Sequence, residues 1–246
     1  MDKGVKKNTA SLLHNTSFLC VVFAVVLIMA GILFVTQSGS FTVREVRPEG
    51  LQLIDEGDIL VLLGAVQGEN LFLLDTNALA HKIELHPLVD KAWFERRLPH
   101  TLILKVVERT PVALILTGEQ LIEVDSLGTV LRCFDMWPDT PCPVLTGIQI
   151  QSAVGPGQVI EHEALSKALG CLADVPPELK TRINEIHVEA VGAVNLYLDT
   201  RAEVRLGIRD SYAGKLRLLA ELIKDEAVQS ARHVDLTSDR HTVMPW

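Results

Sequence analysis

The stretch Val89-Asp90-Lys91-Ala92-Trp93-Phe94-Glu95-Arg96-Arg97-Leu98-Pro99-His100-Thr101-Leu102-Ile103-Leu104-Lys105-Val106-Val107-Glu108-Arg109 decides the fold. Val89 to Arg97 and Thr101 to Arg109 are extended segments rich in β-branched and aromatic residues. Leu98-Pro99-His100 is short enough to reverse the chain between them, so the stretch predicts an antiparallel hairpin. Immediately upstream, Asp75 or Thr76 can cap a helix whose body is Asn77 to Glu84 and which Pro87 stops. Gly64 to Asn70 reads as a loop, and Leu53 to Leu63 as a short helix behind Asp55. Phe41-Thr42-Val43-Arg44-Glu45-Val46 alternates apolar and polar residues, the period of a half-buried strand. The predicted order is strand, helix, helix, strand, strand: one sheet covered by two helices, a two-layer α+β unit.

Pro111 marks the next boundary, because proline removes a ladder donor and sits at strand starts or edges. Short strands are predicted at Val112 to Leu116, Gln120 to Val124 and Thr129 to Cys133, with Asp125-Ser126-Leu127-Gly128 as the turn between the last two. Asp135 to Pro143 reads as a surface loop. A helix from Glu161 to Ala173 follows, then strands at Ile183 to Glu189, Val194 to Leu198 and Val204 to Ile208. Leu216, Leu219, Ala220 and Ile223 share one face of a helix from Ser211 to Glu226, and a single strand, Arg232 to Val243, closes the chain.

Working outward to the N-terminus, Phe18 to Val35 is 18 residues without a charge, amide or hydroxyl, and 13 of them are Leu, Ile, Val or Phe. At 1.5 Å per residue it reaches about 27 Å, enough to span a thin bilayer. Lys3, Lys6 and Lys7 against Asp2 give residues 1–17 a charge of +2, which holds that end in the cytoplasm. The rival reading is a cleaved signal peptide, with Ser38-Gly39-Ser40 as the small residues after it, but its apolar run normally covers only about 7–15 residues. The expected organisation is a cytoplasmic tail (1–17), a membrane helix (18–36) and an exported remainder.

The rest of the composition excludes several classes. The 246 residues are 48% hydrophobic with a mean hydropathy of +0.26, and the net charge of −8 removes the basic surface a nucleic-acid binder needs. Of four cysteines, Cys20 lies in the apolar run; Cys133 and Cys142 can bridge across the proline-rich loop, leaving Cys171 alone. His162-Glu163-Ala164-Leu165-Ser166 has serine where a zinc protease needs its second histidine, and one ligand builds no zinc site. His81 and His86 are five apart and do not share a helix face. There is no S-x-x-K, G-x-S-x-G, P-loop or G-x-G-x-x-G. No catalytic, cofactor-binding or metal-binding residues are therefore assigned, and no enzyme activity is expected. A membrane-tethered chain of two non-catalytic modules works by binding proteins.

Three stretches carry a resemblance. They are Gly68-Glu69-Asn70-Leu71-Phe72-Leu73-Leu74-Asp75, then His86-Pro87-Leu88-Val89-Asp90-Lys91-Ala92-Trp93-Phe94-Glu95-Arg96-Arg97-Leu98-Pro99, then Thr101 through Glu108-Arg109-Thr110-Pro111-Val112-Ala113. In order and spacing the chain closely resembles the cell-division family FtsQ/DivIB. Leu121 to Leu131 resembles the family's strand-turn-strand after the POTRA unit, Val204-Arg205-Leu206-Gly207 before Lys215-Leu216 its late strand and helix, and Val234-Asp235-Leu236 its terminal strand. Thr237 and Ser238 depart from its usual arginine and aromatic, and Thr200-Arg201-Ala202-Glu203 replaces its commoner D-G turn.

The resemblance implies a POTRA domain (β-α-α-β-β) over 41–110 and a mainly antiparallel β domain with flanking helices over 111–246. It implies a non-enzymatic divisome scaffold in the inner membrane at the division septum, joining early division proteins to late septal wall-synthesis proteins. The implied partners are FtsB- and FtsL-like single-span proteins, with other divisome components and a second copy of the chain as further candidates. The alternative is a POTRA-containing envelope protein of transport or outer-membrane assembly, but no membrane β-barrel follows. The implied contact is β-augmentation, in which a peptide adds itself to an exposed strand. The terminal strand supplies it: Val234, Asp235, Leu236, Thr237, Ser238, Asp239, Arg240, His241, Thr242 and Val243.

Overall fold

A computed structural model describes residues 6–245 except 38, 119, 151–153, 226–227, 229–230 and 239–241. The chain divides into two units, residues 1–84 with 91–107, and residues 85–90 with 108–246.

The first unit begins with helix α1 (Lys6–Gln37), whose Phe18–Gln37 portion has mean hydropathy 3.2 and no residue buried in protein. After a single helical turn at Gly39–Phe41 comes β1 (Glu45–Glu49), then α2 (Glu56–Leu63), α3 (Thr76–Glu84), β2 (Val89–Arg97) and β3 (Thr101–Glu108). The expected β-α-α-β-β order is present. Asp55 caps α2 by accepting from the Gly57 N–H at 2.7 Å, and Asp75 does the same for α3 through the Asn77 and Ala78 N–H groups. The sheet order is β1-β3-β2, with β1 parallel to β3. Leu102 and Leu104 of this central strand are fully buried, as are Ile59 of α2 and Ile83 of α3. Gly50 ends β1 at φ +95°, where a Cβ would stand 2.1 Å from the Val106 carbonyl oxygen, so only glycine fits.

The second unit is built on one nine-stranded sheet. Its elements are β4 (Ala113–Thr117), β5 (Gln120–Val124), β6 (Val130–Phe134), β7 (Val144–Thr146), α4 (Glu163–Ala173), α5 (Pro177–Lys180), β8 (Ile183–Val188), β9 (Val194–Leu198), β10 (Glu203–Gly207), α6 (Ala213–Leu222), β11 (Ala231–Asp235) and β12 (Thr242–Pro245). The strand order is β12-β11-β10-β9-β8-β7-β4-β5-β6. Five of its eight neighbouring pairs are antiparallel; β4 with β7, β7 with β8 and β10 with β11 are parallel. A single apolar cluster joins Leu165, Ala168 and Cys171 of α4, Leu179 of α5 and Leu216 and Leu219 of α6 to Ile186, Leu196, Val204 and Val234 of the strands. The turn after β5 is held by Asp125, which accepts from the Leu127 and Thr129 N–H groups and pairs with Arg109 at 2.9 Å.

Four sequence expectations need correction. The strand read at Phe41 to Val46 begins only at Glu45, because Phe41 closes the helical turn after α1 and the Val43 N–H is taken by the Glu69 carbonyl. The segment read as one closing strand, Arg232 to Val243, is a hairpin of β11 and β12. Its reversal starts where the Asp235 carboxylate accepts from both the N–H and the hydroxyl of Thr237, at 2.8 and 2.7 Å, which competes with strand continuation. Helix α4 starts at Glu163 because His162 is its cap, with Nδ1 accepting from the Ala164 N–H at 3.2 Å. Strand β7 and helix α5 have no counterpart in the sequence reading. β7 is three residues long and is ordered by parallel neighbours on both sides rather than by local propensity.

Candidate functional site

The candidate site is the C-terminal hairpin. Of its strands, β11 lies inside the sheet, parallel to β10 on one side and antiparallel to β12 on the other. Val234 and Leu236 are fully buried, and the Leu236 N–H donates to the Arg205 carbonyl at 2.9 Å. Both backbone edges of Val234 and Asp235 are thus committed within the fold. The expectation that the whole of Val234 to Val243 offers a free edge is narrowed accordingly: among the described residues of this hairpin, β12 is the strand with an unpaired side.

Polar groups hold the reversal ahead of β12. Arg209 Nη2 donates to the Thr237 carbonyl at 2.7 Å, and the Lys215 ammonium donates to the Ser238 carbonyl. The Thr237 hydroxyl and then its N–H hold the Asp235 carboxyl below its ordinary range, with Arg205 and His233 adding positive potential. Asp239, Arg240 and His241 lie outside the described residues. In β12 itself, Val243 faces Val234 and packs against the core, while Thr242 and Met244 are exposed. They stand in register with Asp235 and His233, beside a cross-strand pair of His233 Nδ1 and Glu203 Oε2 at 3.1 Å. The arrangement presents an apolar side to the core, a mixed-charge outer side, and a row of backbone groups at the rim.

The opposite rim of the sheet is different. At β6, the Val130 N–H donates to the Gln158 carbonyl, the Gly157 N–H donates to the Val130 carbonyl, and Thr129 bridges to Val159. The start of that edge is therefore covered by the protein's own chain, as edge strands commonly are.

Residues the sequence weighed for catalysis have local partners. His162 caps α4, His81 Nδ1 sits 3.1 Å from Glu84, and His86 Nδ1 accepts from the Leu88 N–H. Among the described residues, no three His, Cys, Asp or Glu side chains converge as a metal site requires. The four cysteines are free thiols.

A family model described as cell division protein FtsQ/DivIB, C-terminal, matches residues 113–237. The chain belongs to the FtsQ/DivIB family. A second model, described as POTRA domain, FtsQ-type, matches residues 41–109, the region of the β-α-α-β-β unit. The FtsQ/DivIB C-terminal match ends at Thr237, so β12 lies beyond it. Among FtsQ proteins, that of Anaeromyxobacter sp. (strain K) is 33% identical over 178 residues, covering 71% of this chain and 60% of its own length. That of Streptomyces venezuelae is 27% identical over 236 residues, covering 94% of this chain and 85% of its own. A solved structure, the major extracytoplasmic domain of the trans isomer of the cell division protein DivIB from Geobacillus stearothermophilus, is 21% identical. It covers 47% of this chain and 92% of its own at a TM-score of 0.36. The family's members are cell division proteins, and this one carries an N-terminal helix long and apolar enough to cross a membrane once.

Proposed function

We propose that this chain is a non-enzymatic divisome scaffold that receives a strand from a single-span, FtsB- or FtsL-like partner at the outer edge of β12. Residues 1–17 lie in the cytoplasm, 18–36 cross the inner membrane, 41–110 form the POTRA docking module, and 111–246 carry the partner edge outside the cytoplasm at the septum. The scaffold thereby joins early division proteins to late septal wall-synthesis proteins. The observation that carries this reading is the open rim of β12: the last strand of a nine-stranded sheet, hydrogen-bonded on one side only, with its turn pinned by Asp235, Arg209 and Lys215. An incoming strand would pair with Thr242, Val243 and Met244 and set its side chains against the mixed-charge face.

The test is in-cell photo-crosslinking from Met244 and Ser238, with the captured protein identified by mass spectrometry. Capture of a short single-span division protein supports the reading; capture of an envelope transport component, or no capture from either position, overturns it. A matching deletion should remove 242–246 and stop there. Removing 232–246 would also take away the buried Val234 and Leu236 and damage the core itself.

A further inference from the structure

The turn that follows Asn70 is held from two directions. Asn70 Nδ2 donates to the carbonyls of Val35 and Thr36, at 2.9 and 3.1 Å, the last turn of α1. From the other side, Arg96 Nε donates to the Leu71 carbonyl at 2.7 Å and its Nη2 to the Leu74 carbonyl at 3.0 Å. Backbone bonds complete the join: the Leu71 N–H donates to the Phe41 carbonyl, and the Val43 N–H to the Glu69 carbonyl. The turn is fixed to the end of the membrane helix.

Its side chains divide sharply. Leu71 and Leu74 are buried, whereas Phe72 and Leu73 are 44% and 67% exposed. Phe41 meets Phe72 edge-on at 5.4 Å, which extends the apolar surface back to the chain leaving α1. The hairpin tip lies at the same end. β3 runs parallel to β1, Glu45 stands opposite Thr101, and the Arg44 N–H donates to the His100 carbonyl, so Leu98, 57% exposed, precedes β3 where the chain arrives from α1. Exposed charges around this end are Arg44 and Arg97 against Glu69 and, two residues further from the hairpin tip, Glu95; Glu45 is paired with Arg47, and Arg96 is committed to the turn.

Position relative to a bilayer follows from length. Phe18–Gln37 spans 20 residues, about 30 Å of helix, the thickness of a hydrocarbon core. The Thr36 carbonyl therefore sits at its boundary, and a residue three positions from Asn70 is at most about 10 Å away along the chain. The headgroup layer is itself roughly 5–7 Å deep on each side. Phe72 and Leu73 cannot project far beyond it.

We infer that Phe41, Phe72, Leu73 and Leu98 are seated in the headgroup region of the outer leaflet, so the POTRA unit stands end-on on the membrane rather than hanging from a free tether. The lipid surface is the occupant of this apolar end, and Arg44 and Arg97 lie at the height of the lipid phosphates. The inference rests on the reading that Phe18–Gln37 spans the membrane.

The test uses the full chain in nanodiscs. A fluorescent amino acid is introduced by stop-codon suppression at Leu73, Leu98 or Val107, and its intensity is compared in ordinary phosphatidylcholine and in phosphatidylcholine brominated at carbons 6 and 7. Val107, 42% exposed, is the control, since it stands six residues along β3 from Thr101, about 20 Å up the strand. Quenching by about half at Leu73 and Leu98, but not at Val107, is the expected result for side chains seated 5–10 Å into the boundary. Unquenched Leu73 and Leu98 in discs that retain the chain overturn the inference, as does equal quenching at all three positions, which would mean the unit lies flat. A chain that leaves the discs on gel filtration overturns the membrane-spanning reading, and the inference with it.

Discussion

Replacing Asp235 with alanine should loosen the last hairpin. Asp235 Oδ1 accepts from the Thr237 N–H at 2.8 Å and from the Thr237 hydroxyl at 2.7 Å, and the variant removes both bonds. A hydrogen bond to a charged group contributes about 1.5–3 kcal/mol when well shielded. Here Thr237 is exposed and Asp235 only half-buried, so water recovers much of that, and the expected loss is about 1–2 kcal/mol in total. The Arg209 and Lys215 bonds to the next two carbonyls remain, which keeps the effect local. A loss of this size corresponds to roughly 5–30-fold in the opening equilibrium. Hydrogen exchange followed by mass spectrometry in detergent should show peptides from 231–245 exchanging faster by that factor, while β4 to β6 are unchanged. The dependence on pH has a definite sign. The carboxyl titrates below its ordinary range because the Thr237 hydroxyl and then its N–H favour the charged form. Its stabilisation is therefore complete above the ordinary carboxylate range and is lost as the pH falls through the depressed value. The difference between wild type and variant should shrink on acidification, after correction for intrinsic exchange. Exchange within twofold of wild type at neutral pH would refute the claim that Asp235 holds the turn.

Two further outcomes are expected. Glu123 is fully buried and its Oε2 pairs with Arg132 Nε at 2.7 Å, while its other oxygen is unpartnered. Arg132→Met should thus cost about 3 kcal/mol, read by chemical denaturation, and Glu123→Leu with Arg132→Met should recover most of it; additive losses in the double variant would show that the pair is not coupled. Burial, with Asp174 adding to it, pushes the Cys171 thiol up to about 12, so alkylation of the native chain at pH 8 should spare Cys171 and label it only on unfolding. Peptide mapping reads this directly, and early labelling of Cys171 would contradict its packing between α4 and the sheet.

The legible parts of this molecule were those written in short-range pattern. The two extended arms around Leu98-Pro99-His100 and the caps Asp55 and Asp75 each specify a local conformation, and with a first strand that begins four residues later than the Phe41 to Val46 alternation suggests they yield the β-α-α-β-β order. The apolar run ending near Val35 is equally local, since helix length and hydropathy need no knowledge of neighbours. The split of the closing strand also has a local signal: Asp235-Leu236-Thr237 carries the residues of a side-chain-capped turn.

What the sequence by itself determined is the class of each module, an N-terminal helix long and apolar enough to cross a membrane, and the family resemblance that points to division. Only the tertiary structure decided which strand is an edge. β11 and β12 are both short and both apolar on one face, but β10 pairs in parallel with β11 from some 30 residues upstream, leaving β12 outermost. It also decided that Phe72 and Leu73 stay exposed while Leu71 and Leu74 are buried, because Asn70 and Arg96 clamp the turn between distant segments. Edge status and exposure depend on which distant segments come together, whereas helices, caps and turns are set by neighbours a few residues apart.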